Sequence, residues 1–192
     1  REKIKVGTFD VVLTNPPFGK KIVIKGELML SQFDLGYKWK RNKETKTVEK
    51  TGTLHDDQPP QILFLERCLQ LLKPGGRLGI VLPEAVFGMP TYEYVVSWLR
   101  GRAKIRGVVS MPEALFKTSG KGGTHAKVCV LFVENTRPKK DEDYEIFMAD
   151  VKWCGHDSRA NPTYRKDKAG RLVLLDEVPT VHEKWSAIIG EW

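Results

Sequence analysis

Four short apolar runs limit what this chain can become. They are Phe9-Asp10-Val11-Val12-Leu13, "GRLGIVLPE" (76–84), "IRGVVSMP" (105–112) and "HAKVCVLFVE" (125–134). Each is short, rich in aliphatic side chains and reads as a strand, the first of them as one buried on both faces of a parallel sheet. Between them the period changes. "QPPQILFLERCLQLLKPGG" (58–76) reads as a helix with Pro59 and Pro60 in its first turn and Gly75-Gly76 closing its end. "TYEYVVSWLRGRA" (91–103) reads as a second helix. Strand, helix, strand, helix, strand is the order of an open α/β sheet with right-handed crossovers. The last two runs have no helix between them, only the glycine-rich "KTSGKGGT", and should form an antiparallel edge hairpin.

The rest is less regular. Residues from about 20 to 57 look polar and irregular, and "YKWKRNKETKTVEK" (37–50), with six Lys/Arg and two Glu, reads as an exposed loop. It serves either as a solvated loop or as a DNA clamp. "YEIFMADV" (144–151) predicts one more short strand, "DSRANPTYRKDKAGR" (157–171) a loop, and "LDEVPTVHEKWSAIIGEW" (175–192) a terminal helix. The chain divides accordingly into 1–150, the sheet, and 151–192, an extension of loop plus helix. Trp185 and Trp192 on that helix either pack within the chain or dock against a partner.

Composition narrows the class. The 192 residues suffice for one well-buried domain. No apolar run approaches the roughly 20 residues that span a bilayer, and the amino terminus lacks the regions of a signal peptide. The chain opens on Arg1 instead of Met, which predicts a piece of a longer protein. Cys68 and Cys129 lie in apolar runs and, with Cys154, form no CxxC pair, which reads as reduced thiols in a cytoplasmic protein. His55, His125, His156 and His182 have no ligand spacing, so no metal is expected. A net charge of +8 points toward a polyanionic partner.

The first run ends abruptly in Asn15-Pro16-Pro17-Phe18, followed by Gly19, Lys20 and Lys21. Ligands of open α/β sheets bind at the carboxyl ends of strands, where Asn15 stands. A residue before proline is held extended, and two prolines fix their own φ and bring no N–H. The segment is therefore a stiff loop offering an amide oxygen, bare carbonyls and a flat ring. Two acceptors beside an aromatic face suit a planar exocyclic amine such as that of adenine. Holding its N–H bonds keeps electron density on nitrogen, which can then turn toward an electrophilic methyl group. Phe18 would stack on a base swung out of the duplex. An ordinary Asn-Pro turn is the plain alternative for "NP" by itself. Lys20 and Lys21 either contact phosphates or keep the loop soluble, and Thr118–Thr124 forms either a lip over the base or a simple turn.

"FDVVLTNPPF" resembles the catalytic motif of amino-group DNA methyltransferases, which use S-adenosylmethionine to methylate adenine N6. "LKPGGRLGIVLPEAVF", "IRGVVSMPEALFKTSGKGGTHAKVCVLFVE" and "VKWCGHDSRANP" are similar to segments of the modification (M) subunits of type I restriction-modification systems. The resemblance covers about residues 8 to 160. It implies a partial Rossmann-like methyltransferase sheet, mostly parallel with an antiparallel edge hairpin and helices on both faces, with 1–150 the C-terminal half of the catalytic domain. It implies that Asn15 and Pro16 bind the target amine and border the cofactor, that Pro17 holds the loop and that Phe18 stacks on the base. The implied partners are DNA and the specificity and restriction subunits. The family's glycine-rich cofactor loop has no counterpart ahead of Thr8. Gly75-Gly76 and Gly120-Gly122-Gly123 do not stand between a strand and a helix, so the chain alone is expected to be inactive. Methylation of RNA or of a protein glutamine, and a non-catalytic DNA-binding or assembly module, are the alternatives. Cys68 lies mid-helix, without the setting of the attacking thiolate that cytosine C5 chemistry needs.

Overall fold

The structure, a computed structural model, describes residues 4–18, 22–117, 126–139, 142–190 and 192. In chain order its elements are β1 (Phe9–Thr14), β2 (Ile24–Lys25), α1 (Glu27–Leu30), β3 (Tyr37–Arg41), β4 (Val48–Leu54), β5 (Asp57–Gln58), α2 (Pro60–Leu71), β6 (Leu72–Pro83), α3 (Ala85–Gly88), α4 (Glu93–Arg100), β7 (Lys104–Ser110), α5 (Ala114–Lys117), β8 (Val128–Glu134), β9 (Phe147–Asp150), β10 (Tyr164–Lys166), β11 (Leu172–Leu174) and α6 (Val178–Ile189). Five strands make the central sheet in the order β1-β6-β8-β7-β9. β1 pairs with β6 and β7 with β9 in parallel, while β8 runs against both β6 and β7. The expected mostly parallel α/β sheet with an antiparallel hairpin is therefore present.

The hairpin's place differs from the expectation. The crossover from β6 to β7 skips one position, and β8 turns back into that gap. The "YEIFMADV" strand, β9, then adds outside β7, so the hairpin is interior and β9 is the edge.

The two faces bury different clusters. Leu78, Ile80, Leu82, Cys129, Leu131 and Val133 point to one side, where Ile62, Leu65 and Leu69 of α2 and Val95, Trp98 and Leu99 of α4 cover them. Each fully buried Leu or Ile there contributes roughly 1.5–3 kcal/mol. On the other face Val130 and Phe132 meet Val181 and Trp185 of α6. The Trp185 ring lies against Phe132, Phe147 and Trp192, so the tryptophans pack within the chain. Gly107 makes this possible, because the Trp185 indole occupies the space a Cβ would need.

Three local expectations are corrected. β1 is not buried on both faces: Val12 packs on the main core, but Phe9, Val11 and Leu13 are exposed, Leu13 by 76%. It is an edge strand, and the described helices cover only one of its sides. Gly75-Gly76 do not close α2, which ends at Leu71 and passes directly into β6. They form an irregularity in that strand: Gly75 has φ +74°, and a side chain at Gly76 would crowd the Phe9 carbonyl. The "DSRANPTYRKDKAGR" loop contains β10, paired with β11 through a turn capped by Asp167, whose carboxylate accepts from the Ala169 and Arg171 N–H groups.

Residues 37–50, read as an exposed loop, belong to an ordered antiparallel hairpin of β3 and β4. Trp39 packs on the main core and donates its indole N–H to the Asp34 carbonyl at 3.2 Å. The turn is set by Asn42, whose side-chain oxygen accepts from the Glu44 and Thr45 N–H groups, and by Lys46 at φ +59°. Beneath the hairpin, Glu66 of α2 is 4% exposed and accepts the Asp34 and Leu35 N–H groups at 2.9 and 2.8 Å. Burial pushes the pKa of Glu66 above the usual carboxylate range, and the two N–H donors oppose that shift only in part.

Candidate functional site

β1 is in register with β6 to its last residue, Thr14 opposite Ile80, and hands the chain to Asn15 at the carboxyl end of the sheet. Asn15 is exposed and its side chain bonds to no other described residue. Pro16 is buried, Pro17 exposed and Phe18 half-buried. Phe18 packs against the cluster that contains Val109 and Met111 of the β7 end, Val128 of β8 and Val151 past β9. The loop thus reaches across the strand ends, anchored at Pro16 and Phe18, with the Asn15 amide turned out. Lys20 and Lys21, and the Thr118–Thr124 lip, lie outside the described residues.

The same end of the sheet carries polar groups that sequence reasoning missed. Glu84 follows β6, Ser110 ends β7, Lys127 precedes β8 and Asp150 ends β9. The Lys127 ammonium lies 3.2 Å from Glu84 and 3.6 Å from Asp150, and Asp150 also takes Lys152. The Glu84 hydrogen bond raises the pKa of Lys127. Hydrogen bonding from Lys152 leads in lowering that of Asp150, with Lys127 adding to it. A cleft beside them is lined by Phe87, Val108, Ser110 and Met148, and the Ser110 hydroxyl is buried there without a described partner. The available signal was positional, since each of these residues directly flanks an apolar run.

Gly75-Gly76 sit near the start of β1, at the opposite end of the sheet from Asn15. No described strand-to-helix turn holds more than one glycine. Among the described residues no group of three or more His, Cys, Asp and Glu is placed to hold a metal ion, and no helix is long and apolar enough to cross a membrane. Burial pushes the Cys68 thiol up to about 11 and the Cys129 thiol up to about 12.

Comparison with known proteins gives consistent matches. The family model described as N-6 DNA Methylase matches residues 1–172. The Type II methyltransferase M.XhoI of Xanthomonas vasicola is 35% identical over 74 residues, which is 38% of this chain and 11% of that protein. A solved structure from Listeria monocytogenes, titled a class I S-adenosylmethionine-dependent methyltransferase, superposes with a TM-score of 0.55 at 22% identity. It covers 78% of this chain and 38% of its own, and it shares the fold. A modification subunit of a type I restriction enzyme from Vibrio vulnificus aligns at 15% identity and a TM-score of 0.47, over 87% of this chain and 37% of its own. The chain thus spans well under half the length of these relatives.

Proposed function

The chain belongs to the N-6 DNA methylase family, and from that premise we propose that its Asn15–Phe18 loop grips the amine of an adenine displaced from DNA, for methylation at N6. The observation that carries this is the unbonded, outward Asn15 amide, held at the carboxyl end of β1 by a buried proline and a half-buried ring. The amine's lone pair is delocalised into the base, so the nitrogen is a poor nucleophile. The Asn15 side-chain oxygen accepts one N–H and the Pro16 carbonyl the other. Both bonds strengthen as positive charge develops on nitrogen, so they lower the barrier more than they tighten ground-state binding. Phe18 stacks on the base, a contact of roughly 1–3 kcal/mol that offsets part of the unstacking. Lys20 and Lys21 meet the neighbouring phosphates.

S-adenosylmethionine supplies the electrophilic methyl group. The residues described fit only its reacting end, at Asn15 and Pro16, because no described strand-to-helix turn at that end of the sheet is glycine-rich. No residue of this chain is therefore assigned to the cofactor's adenosine, and the 192 residues alone are not expected to transfer methyl. We further propose that the intact protein acts in the cytoplasm as the modification subunit of a type I restriction-modification system, with specificity and restriction subunits as its partners; the sequence resemblance supports this reading.

The test is transfer of radioactive methyl to duplex DNA by the intact protein. Asn15→Ala should cut transfer at least about 100-fold, the scale set by removing one preorganised transition-state hydrogen bond, with its melting temperature unchanged because Asn15 is exposed and unbonded. Transfer at the wild-type rate rejects the mechanism.

A further inference from the structure

We infer that the β3–β4 hairpin is a preformed arm that grips the phosphate backbone of duplex DNA beside the target base. This rests on the reading of the chain as a DNA methylase and adds to it a second contact surface. Its position follows from its contacts with α4. α4 lies on the crossover from β6 to β7, so it begins near the carboxyl end of the sheet and ends near the amino end. Glu93, its first residue, pairs with Arg41 at the end of β3. Arg102, just past its last turn, pairs with Asp34 at the hairpin's foot. His55, beside the hairpin's foot, also lies against Tyr94 in the first turn of α4, so the hairpin packs on the part of that helix that begins near the carboxyl end of the sheet, where Asn15 stands.

The charges divide along the arm. From Tyr37 to Leu54 it carries six cations (Lys38, Lys40, Arg41, Lys43, Lys46, Lys50) against two anions (Glu44, Glu49). Lys38 is paired with Asp56, Lys50 with Asp34 and Arg41 with Glu93. Lys40, Lys43 and Lys46 are exposed and form no ion pair among the described residues, although Lys40 stands opposite Glu49 in the strand register. Glu49 is engaged by Asn42 and Thr47 at 3.3 and 2.8 Å. The paired cations fix the arm and the unpaired ones are left for a ligand.

The arm is also preorganised. Asn42 and Thr47 close the turn through a backbone bond of 2.8 Å, and the Arg41 guanidinium donates to the Lys46 carbonyl at 2.8 Å. Trp39 and the buried Glu66 hold the foot. A solvated loop needs none of this. A polyanion with regularly spaced charge, running past the base-binding end, is the ligand that three ordered, unpaired lysines suit.

The experiment measures binding of a 30-bp duplex to the intact protein by fluorescence anisotropy across a salt series, with wild type, the triple variant Lys40→Gln/Lys43→Gln/Lys46→Gln, and the same three positions changed to Arg. Each phosphate contact contributes about 0.9 to the slope of log K against log salt. The Gln variant should lose about tenfold or more in low-salt affinity and flatten the slope by about 2 to 3, with an unchanged melting temperature and unchanged transfer at saturating DNA. The Arg variant should bind as wild type does. An unchanged slope in the Gln variant overturns the arm while leaving the methylase reading, which Asn15→Ala judges separately. A wild-type protein with no affinity for duplex DNA overturns both.

Discussion

Glu66 tests whether a buried carboxylate, and not the hairpin's own pairing, holds residues 34–54 in place. Replacing it with Ala removes the acceptor of two N–H groups, those of Asp34 and Leu35 at 2.9 and 2.8 Å, beside residues that are themselves buried or half-buried. Each buried donor left unsatisfied costs roughly 1–3 kcal/mol, so the pair sets a loss of about 2–6 kcal/mol. At about 2–4 °C per kcal/mol for a domain of this size, the melting temperature should fall by roughly 4–24 °C. Glu66→Gln keeps one acceptor and sets an NH₂ group against the other donor, for a loss of about 2 kcal/mol. The pH dependence has a definite sign. Burial raises the folded-state pKa of Glu66 against opposition from the Leu35 and Asp34 N–H groups. A group raised in the folded state contributes stability that is full below its unfolded pKa and is lost as pH rises through the folded one. Gln does not ionise, so the gap between wild type and Glu66→Gln should be widest in acid and narrow toward neutral pH. Circular dichroism melts at several pH values read both effects, and amide exchange at Asp34 and Leu35 reads the local one. A Glu66→Ala protein melting within 2 °C of wild type, with those amides still protected, refutes the reasoning.

Two further outcomes follow from the packing. Gly107→Ala puts a methyl group where the Trp185 indole lies, and overpacking of that kind costs about 1–3 kcal/mol. The measurable result is a lower melting temperature and a shift in tryptophan emission as α6 is displaced. Cys68 and Cys129 are buried, with thiols pushed up to about 11 and about 12, whereas Cys154 is half-buried. At pH 8 a thiol reagent should modify Cys154 alone in the folded chain and all three cysteines in denaturant.

The five-stranded sheet was readable because its strands are runs of apolar residues whose periods break at proline, glycine or a helix start. Asn15-Pro16-Pro17-Phe18 was readable for the same reason: an abrupt polar and rigid end to such a run says where the strand stops. The hairpin was hidden. Its inward positions are few, chiefly Tyr37, Trp39, Val48 and Leu54, and long charged side chains fill the spaces between them. Its turn places Lys46 at positive φ instead of the glycine that usually signals one. Its anchor, Glu66 in "FLERC", looks like a surface charge until the fold brings two unpaired N–H groups against it. The bare side of β1 was equally hidden. Phe9, Val11 and Leu13 are apolar whether or not anything covers them, and a single chain's pattern records what a strand face suits, not what meets it.

The two parts of the site are made rigid by different means, and the difference bears on what each does. In the proposed mechanism the acceptor atoms at Asn15 must be placed to within a fraction of an ångström of a developing charge, and prolines achieve this locally by removing backbone freedom before any ligand arrives. The hairpin needs only to hold lysines near a phosphate backbone, a longer-ranged and more tolerant interaction, and it is secured at its foot by Glu66, Asp34 and Trp39 while the lysine side chains stay free. A substitution in the loop should therefore act on the rate of transfer with little effect on DNA affinity. A substitution in the arm should act on affinity and its salt dependence with little effect on rate at saturation. If both kinds of change moved both quantities together, the loop and the arm would be one cooperative unit, and the division of labour drawn from their hydrogen bonds would be wrong.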